Sequence, residues 1–166
     1  MLKIVVIIIT LFCTGCIKNE LNEETDIYND YVKRLEYLED KDFSEELPFD
    51  INIYYDKIIE TEIMYKIIID NPKTSIKNIK ALAIHDQPTN DVFPTLGMFD
   101  EKYTLIPGVI DSEKNYIEGI ILIGYIPFDY ELDEFEAEFR VLVKYEDEDS
   151  KLQEIFYSSK IDKLSD

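Results

Sequence analysis

The sequence predicts a mostly-β fold: a single antiparallel sandwich, or a strongly curved sheet, of about seven strands with one N-terminal helix. Apolar residues alternate with polar ones through most of the chain after residue 48, which is the period of a β-strand. Short clusters of Asn, Pro, Gly and acidic residues separate these stretches and predict turns. A helical apolar stripe occurs only near the N-terminus, so no helix is expected between the strands and antiparallel pairing follows.

The helix is predicted over residues 27–40, with Asp26 as its N-terminal cap. Its apolar stripe, at positions i, i+4, i+8 and i+11, consists of Ile27, Tyr31, Leu35 and Leu38. We expect this helix to pack across one opening of the sandwich. The polar segment 16–26 has no clear period and is interpreted as a tether, so the domain proper is expected to span residues 27–166.

Seven strand candidates follow the helix. Their approximate ranges are 49–55, 63–69, 76–84, 99–106, 116–126, 137–145 and 152–158. The fifth candidate is the most hydrophobic stretch of the domain and is expected to be a central strand. Residues 85–96 contain two prolines and predict a long loop, and the acidic run 146–150 predicts the tip of a hairpin.

The first fifteen residues have the layout of a secretory signal peptide. Lys3 supplies a positive charge, residues 4–12 are an unbroken apolar run, and small residues follow. The run has under half of the roughly 20 residues that a membrane-spanning helix needs. We therefore expect residues 1–15 to be cleaved and the mature protein to lie outside the cytoplasm.

The end of this segment resembles the bacterial lipobox, which is usually Leu, a small residue, Gly or Ala, and then Cys. Thr14, Gly15 and Cys16 match the pattern, whereas Cys13 stands where Leu is usual. The resemblance implies that Cys16 is lipidated and becomes the first mature residue, anchored on the outer face of the cell membrane. An ordinary secretory cleavage that leaves a free thiol on Cys16 is the alternative.

The charge of the chain restricts its partners. The signal contains one of the 17 basic residues and none of the 36 acidic ones, so the mature domain is one charge more negative than the −19 of the whole chain. Nucleic acid is excluded as a partner, because phosphate binding needs a basic surface. The domain should contact the membrane through its lipid, and a cationic partner is favoured. No cysteine remains for a disulfide, so the core must supply the stability.

Acidic residues crowd the segment between two strand candidates: Asp129, Glu131, Asp133, Glu134, Glu136 and Glu138. The spacing and the glycine of a calcium-binding loop are absent, and the lack of Trp makes a sugar-cleaving pair of carboxylates unattractive. A solvated acidic edge and a docking patch for a cationic ligand both fit the pattern. The residues of the candidate patch are Glu131, Asp133, Glu134 and Glu136.

No catalytic or metal-binding constellation is found. His85 is the sole histidine, and it has neither a nearby serine nor a free cysteine with which to form a nucleophilic or zinc site. We interpret it as a loop residue without a special role. Neither an enzyme activity nor a cofactor is expected.

Tyrosines are abundant and fall into two groups. Those on apolar strand faces are expected in the core: Tyr55, Tyr65 and Tyr145. The others are candidates for surface aromatics of the kind that anchor interfaces: Tyr54, Tyr116 and Tyr130.

The organisation as a whole resembles that of lantibiotic immunity lipoproteins, particularly the subtilin-immunity type. The shared features are a signal that ends at Cys16, the length of the mature chain, a strongly acidic mostly-β domain and the lack of an enzyme signature. A looser likeness, through Ile106-Pro107-Gly108 before the strand 119–125, is to the immunoglobulin-like modules of other lipoproteins.

The resemblance implies a lipid-anchored protein that binds and sequesters a cationic antimicrobial peptide and so protects the cell that makes it. The alternative is a surface interaction module that supports a membrane complex such as a transporter. The acidic composition favours the first function, because a cationic peptide would be attracted before it inserts into the membrane.

Overall fold

The computed structural model describes the backbone of residues 14–59, 61–99, 102–127 and 135–161, and the side chains from residue 24 onward apart from those of residues 41 and 56–59. The signal segment up to residue 13 lies outside the described residues. The regular elements are α1 (Thr14–Glu36), β1 (Asp50–Ile59), β2 (Glu62–Asp70), β3 (Ile76–His85), β4 (Thr95–Leu96), β5 (Tyr103–Leu105), β6 (Ile120–Pro127), β7 (Ala137–Glu146) and β8 (Leu152–Ile161).

The predicted mostly-β fold with one N-terminal helix is confirmed. In the described part of the chain, eight strands form two antiparallel sheets. The first sheet has the order β1-β2-β6, and the second has the order β4-β3-β7-β8 with β5 also paired to β3. The strand that the sequence analysis missed is β4, a two-residue strand inside the predicted loop 85–96. It is too short to show any alternation of apolar and polar residues.

The main core lies between the two sheets. Along β2 the side chains alternate regularly between buried and partly exposed, as the period of a strand requires. The first sheet contributes Ile63, Ile67, Ile69 and Leu122, and the second contributes Ile79, Phe139, Val141 and Val143. Burial of these side chains from both inner faces is the dominant stabilising term of the fold.

The helix packs on the outer face of the second sheet and not across an opening of the sandwich as expected. Tyr31 and Leu35 of α1 form a second buried cluster with Leu82, Ile84 and Leu142 of β3 and β7. These two strands bury side chains on both faces. Their outer face therefore needs an apolar cover, and the stripe of the helix supplies it.

The helix also begins earlier and ends earlier than predicted. It spans Thr14–Glu36, whereas the apolar stripe predicted residues 27–40, so Asp26 lies inside the helix and does not cap it. The segment 16–26, predicted as a tether, is helical in the structure. Its Lys, Leu and Glu residues are strong helix formers, and a helix can continue beyond the sheet without an apolar stripe.

Polar contacts hold the end of the helix on the second sheet. The guanidinium of Arg34 donates to both carboxylate oxygens of Glu154 on β8, at 3.0 and 2.5 Å. Nη1 of Arg140 on β7 donates to the carbonyl oxygens of Leu35 and Leu38, at 3.1 and 3.3 Å. The carbonyl of Leu35 lies in the last turn of α1, where no intrahelical donor remains for it, and that of Leu38 lies just beyond the helix.

The most hydrophobic strand is an edge strand, not the central strand that was predicted. Among the described strands, β6 pairs with β2 alone. Its burial alternates strictly, so that every second residue of Ile120–Pro127 is exposed. The expectation rested on its two apolar faces, and only one of these faces is buried.

Candidate functional site

The outward face of β6 is apolar and exposed. Ile121, Ile123 and Tyr125 point away from the core and keep 51%, 46% and 43% of their surface accessible. A large apolar side chain that is half exposed is common when it stands alone. Three in a row on one strand are a contiguous patch, and such patches mark interaction sites.

Neighbouring strands extend this patch across the first sheet. In the register of the sheet, Ile68 of β2 lies beside Ile121, and Met64 lies beside Tyr125. Tyr54 of β1 is 55% exposed and is separated from Ile123 by Lys66 of β2. We call this surface the bare face; its residues are Tyr54, Met64, Lys66, Ile68, Ile121, Ile123 and Tyr125.

Acidic residues lie at both ends of the bare face. Asp50 and Asp70 are register partners at one end, and Nδ2 of Asn71 donates to both carboxylates, at 3.2 and 3.3 Å. Glu62 begins β2 at the other end, opposite Pro127. Lys66 is the one cation on the face as defined. The apolar row of Ile121, Ile123 and Tyr125, with acidic residues beyond both ends of the face, is complementary to a molecule that is both apolar and cationic.

The strand that carries most of the bare face has little of the usual protection of an edge strand. Edge strands are usually guarded by charged residues, especially lysine, by proline or by bulges. The eight residues of β6, Ile120–Pro127, include no charged residue, and their one proline is the last residue. β6 also pairs with β2 without a register shift. Among the described strands, β6 is therefore an apolar edge that is open to a partner.

A small cavity opens beside β6, at the end of the sandwich where β3 terminates. Its volume is about 330 Å³. The walls come from the buried ends of β2 and β3, from β6 and from the loop after β3; they are Tyr65, His85, Thr89, Asp91, Val92, Phe93, Ile123, Gly124 and Tyr125. Because Ile123 and Tyr125 belong to both, the cavity is continuous with the bare face. We call it the aromatic cavity.

The interpretation of His85 as an ordinary loop residue is wrong. His85 is the last residue of β3, it is 7% exposed, and it packs edge-on against Tyr65 and Phe93. Its sequence neighbours Asp86, Gln87 and Pro88 suggested a loop, whereas pairing with Phe139 of β7 extends the strand by one residue.

The loop after β3 is fixed by hydrogen bonds to β7, to the residue before β7 and to α1. The Asp86 carboxylate accepts from the backbone N–H of Glu138 at 3.0 Å, and Nε2 of Gln87 donates to the carbonyl of Glu136 at 2.8 Å. The backbone N–H of Phe93 donates to the hydroxyl of Tyr28 on α1 at 3.0 Å. The wall that this loop gives to the aromatic cavity is therefore held in place.

A second and wider depression lies between α1 and the second sheet. Its volume is about 810 Å³, and its charged residues are three lysines and three acids: Lys80, Lys102, Lys144, Asp26, Asp30 and Glu146. Lys144 is engaged, since its Nζ lies 3.1 Å from Glu154 and 4.4 Å from the ring centroid of Tyr31. The opposite charges balance, so the depression favours neither sign of ligand.

The structure describes one of the four acids of the predicted docking patch. Glu136 is exposed, and its carboxylate lies 3.4 Å from Nζ of Lys160. The other three, Glu131, Asp133 and Glu134, lie outside the described residues. The backbone of Cys16 lies in the first turns of α1, and its side chain is outside the described part.

The predicted division of the tyrosines is largely confirmed. Tyr65 and Tyr145 are buried, and Tyr55 is partly buried against the core. Tyr54 is exposed on the bare face, whereas Tyr116 is only partly exposed and has the Lys114 ammonium 5.9 Å from its ring. Tyr130 lies outside the described residues.

Neither a metal site nor a membrane span is found in the described part of the chain. No three His, Cys, Asp or Glu side chains come together there in a way that could hold a metal ion. Of the described helices, none is both long and apolar enough to cross a membrane.

Two comparisons with known proteins were made for this chain. A scan against the models of protein families finds no match, and a search of curated proteins finds none either. The function must therefore be argued from the surfaces described above.

Proposed function

We propose that the protein is a lipoprotein anchored by its lipid to the extracytoplasmic face of the cell membrane, where it binds and sequesters a cationic, amphipathic antimicrobial peptide. The observation that carries the proposal is the bare face: an apolar surface with acidic ends on a strongly acidic domain. Both properties of the proposed ligand, its apolar side and its positive charge, have a counterpart on this surface.

The apolar side chains of β6 on the bare face would supply most of the binding affinity. Exposed ion pairs contribute less than about 1 kcal/mol each, whereas aromatic and aliphatic anchors dominate the energy of most interfaces. Ile121, Ile123 and Tyr125 provide such anchors on a rigid strand, so little conformational entropy is lost when a ligand binds them.

The acidic residues would act mainly on the rate of association. A domain with a charge near −20 attracts a cationic peptide over a distance of about one Debye length. Asp50, Asp70 and Glu62 lie at the ends of the bare face, where they would orient the peptide. The patch of Glu131, Asp133, Glu134 and Glu136 would add to the same attraction.

The helix would connect the lipid to the sandwich. Between Cys16 and Ile27, its first described contact with the helix–sheet cluster, α1 rises by about 16 Å. A helical connection of this length would hold the domain close to the membrane surface, where such peptides act. Anchoring also raises the effective concentration of the binding face there.

The test of peptide binding is a titration with a synthetic amphipathic helical peptide of Leu and Lys, in which the Leu residues recur with the period of a helix. The variant Ile121→Ser/Ile123→Ser should lower the affinity roughly tenfold or more, because it removes two central anchors. It should act mainly through faster dissociation. Surface plasmon resonance at low and high salt separates the two rates.

The matched control is Val109→Ser/Ile110→Ser, which removes two equally apolar and exposed side chains in the loop after β5. It should leave binding unchanged.

A variant with Gln or Asn at the four patch acids should slow association and weaken its salt dependence. If wild type binds no such peptide below about 100 μM and its expression protects no cells, the proposal fails and the bare face is then a docking site for a partner protein of a membrane complex.

Anchoring is tested separately at Cys16. Mass spectrometry of the purified mature N-terminus should show a cleavage after Gly15 and a diacylglycerol-modified Cys16. Cys16→Ala should leave the precursor unacylated and poorly processed. An unmodified thiol, or cleavage at another position, contradicts the lipid anchor and leaves the peptide-binding proposal to its own test.

A further inference from the structure

The aromatic cavity has the chemistry of a cation receptor, and three features of its walls lead to that inference. It adjoins the bare face through Ile123 and Tyr125. At about 330 Å³ it lies at the lower end of the volumes that bind small molecules, roughly 300–1,000 Å³. One side chain of a bound peptide could enter it while the rest of the peptide covers the sheet.

The first feature is the aromatic lining. The rings of Tyr65 and Phe93 and the imidazole of His85 line the cavity, and Tyr125 also contributes to its wall. Centroids of Tyr65 and His85 are 5.5 Å apart, and those of His85 and Phe93 are 5.3 Å apart, both in edge-on geometry. Aromatic rings attract a cation through their negative faces, and the attraction increases when water is excluded.

The second feature is a hydrogen-bond acceptor on His85. Nδ1 lies 3.1 Å from the carbonyl oxygen of Gln87, and a carbonyl only accepts, so Nδ1 carries the proton. Burial lowers the pKa of His85, against the smaller opposing effects of Gln87 and Asp86, and keeps the ring neutral near pH 7. Nε2 then presents a lone pair that has no hydrogen-bond partner among the described residues.

The third feature is a carboxylate at the mouth of the cavity. Asp91 is exposed, its backbone N–H donates to Oγ1 of Thr89, and its carboxylate has no hydrogen-bond or salt-bridge partner in the described part of the chain. Burial, and then the nearby Tyr28 and Asp91, raise the pKa of Tyr65. The negative charge of Asp91 thus acts electrostatically on the phenol of Tyr65 inside the cavity.

The space itself depends on Gly124. A Cβ at this position would collide with the hydroxyl and ring of Tyr65, its register partner on β2. The glycine therefore lets a buried tyrosine cross β6 and bring its hydroxyl into the cavity wall. The hydroxyl has no hydrogen-bond partner among the described side chains and backbone groups.

We propose that the aromatic cavity binds a primary ammonium, the lysine side chain of the peptide that occupies the bare face. This inference rests on the proposed function and names the group that the site selects. Nε2 of His85 and the hydroxyl of Tyr65 accept hydrogen bonds from the ammonium, the rings surround it, and Asp91 compensates its charge. An anion is repelled by Asp91, and an apolar group would leave the two acceptors without partners.

A matched pair of peptides tests the selectivity. The Leu/Lys peptide is compared with a Leu/Arg peptide of the same length and charge on the full chain. The Lys peptide should bind about tenfold more tightly, the effect of one hydrogen bond to a charged group, because the bulkier planar guanidinium fits the acceptors less well. A small probe, n-butylammonium, should shift the NMR signals of Tyr65 and His85, and 1-butanol should not.

Two variants locate the effect. His85→Phe keeps a buried ring and removes Nε2, so it should abolish the preference for Lys over Arg. Asp91→Asn, at an exposed position that does not endanger the fold, should weaken binding of the Lys peptide about threefold. Asp149→Asn, in the turn after β7 at the opposite end of the second sheet, is the matched control and should change nothing.

The outcomes separate this inference from the proposed function. If both peptides bind equally to wild type and variants, peptide binding stands and the ammonium site is overturned. If neither peptide binds but n-butylammonium shifts the signals of Tyr65 and His85 and loses affinity in Asp91→Asn, the cavity is an ammonium site and the proposed function fails. If no peptide binds and n-butylammonium has no effect, both are overturned.

Discussion

The two outer faces of the sandwich begin from the same kind of sequence and end in opposite states. β3 and β7 have apolar side chains on both faces, and α1 buries the outer ones against Tyr31 and Leu35. β6 also has apolar side chains on both faces, and its outer ones remain exposed as Ile121, Ile123 and Tyr125. Within the described part of the chain, α1 covers one sheet, and no element covers the outer face of the other.

The outer apolar side chains therefore have a different role on each sheet. On the second sheet they stabilise the fold, because the helix removes them from water. On the first sheet the outer apolar side chains contribute little to the stability of the isolated fold, and they favour association with another molecule. A ligand that covers this surface would remove it from water, and for this reason we propose β6 as the binding strand.

The largest loss of stability is expected from a variant on the face that α1 covers. Leu35→Ala removes a fully buried side chain of the helix–sheet cluster and should lower the free energy of unfolding by about 2–5 kcal/mol. Ile123→Ala on the bare face should change it by less than about 0.5 kcal/mol. Urea unfolding measures both; equal losses would mean that the two faces are equally covered in solution.

A second pair of variants contrasts the two sides of β6 itself. Gly124→Ala places a methyl group against the ring of Tyr65, and overpacking of this kind should cost about 1–3 kcal/mol. Tyr125→Ala, one residue further and on the bare face, should cost less than about 0.5 kcal/mol. Thermal melts compare them. A Gly124→Ala protein as stable as wild type would show that Tyr65 does not cross β6 in this position.

The ion pairs of the helix should have a smaller effect. Hydrogen bonds from Arg34 and then Lys144 hold the pKa of Glu154 at about 2, below its usual 4.5. A lowered carboxyl pKa stabilises the fold above pH 4.5 and loses that contribution as the pH falls toward 2. Because Glu154 is partly exposed, Glu154→Gln should cost less than about 1 kcal/mol at pH 7.

Hydrogen exchange of the α1 amides resolves the effect of Glu154→Gln at neutral and acid pH. The exchange should be faster in the variant at pH 7 and equal to wild type near pH 2. The first sheet provides the internal control, because its amides should not respond. Unchanged exchange of α1 at pH 7 would contradict a role for Glu154 in holding the helix.

The smallest expected effect is a pH dependence from His85. Burial lowers the pKa of His85 in the folded state. Below about pH 6.5 the imidazole therefore binds a proton in the unfolded chain but not in the folded chain. Stability should therefore fall as the pH drops below about 6.5 and be constant above about 7. The ring packs against Tyr65 of β2 and Phe93, and the nearby carboxylate of Asp86 opposes the lowering in part.

Because His85 is the sole histidine, His85→Phe gives a direct control. Urea unfolding between pH 5.5 and 8 should show the slope in wild type and lose it in the variant. A slope that persists in His85→Phe would assign the effect to another group.

Much of the fold could be predicted from local patterns. Alternation and apolar runs together located six of the seven predicted strands closely, and the turn around Asn71 and the acidic hairpin tip after Glu146 are present as expected. The helix was recognised by its stripe, whereas its start at Thr14 was missed. A polar helical segment has no apolar period to reveal it, and helix propensity alone is a weak signal.

The candidate site was predicted less well. The acidic segment around Glu136 drew attention because charge is visible in a sequence. Tyr54 was correctly placed on the surface, but Ile121, Ile123 and Tyr125 were assigned to a central strand. A hydrophobic strand has the same sequence whether both of its faces are buried or one is left open. The burial of His85 was not predicted for a related reason. No local sequence pattern shows which aromatic side chains will pack against the last residue of a strand.

The sequence by itself determined the fold class, the acidity of the domain and the residues of the inner core, because these depend on composition and on the period of side chains along one strand. Only the tertiary structure decided which sheet the helix covers, that β6 lies at an edge, and that Tyr65, His85 and Asp91 border one cavity. Those features depend on the order of strands and on contacts between residues far apart in the chain, and the free energy that selects them comes from burial summed over the whole sandwich.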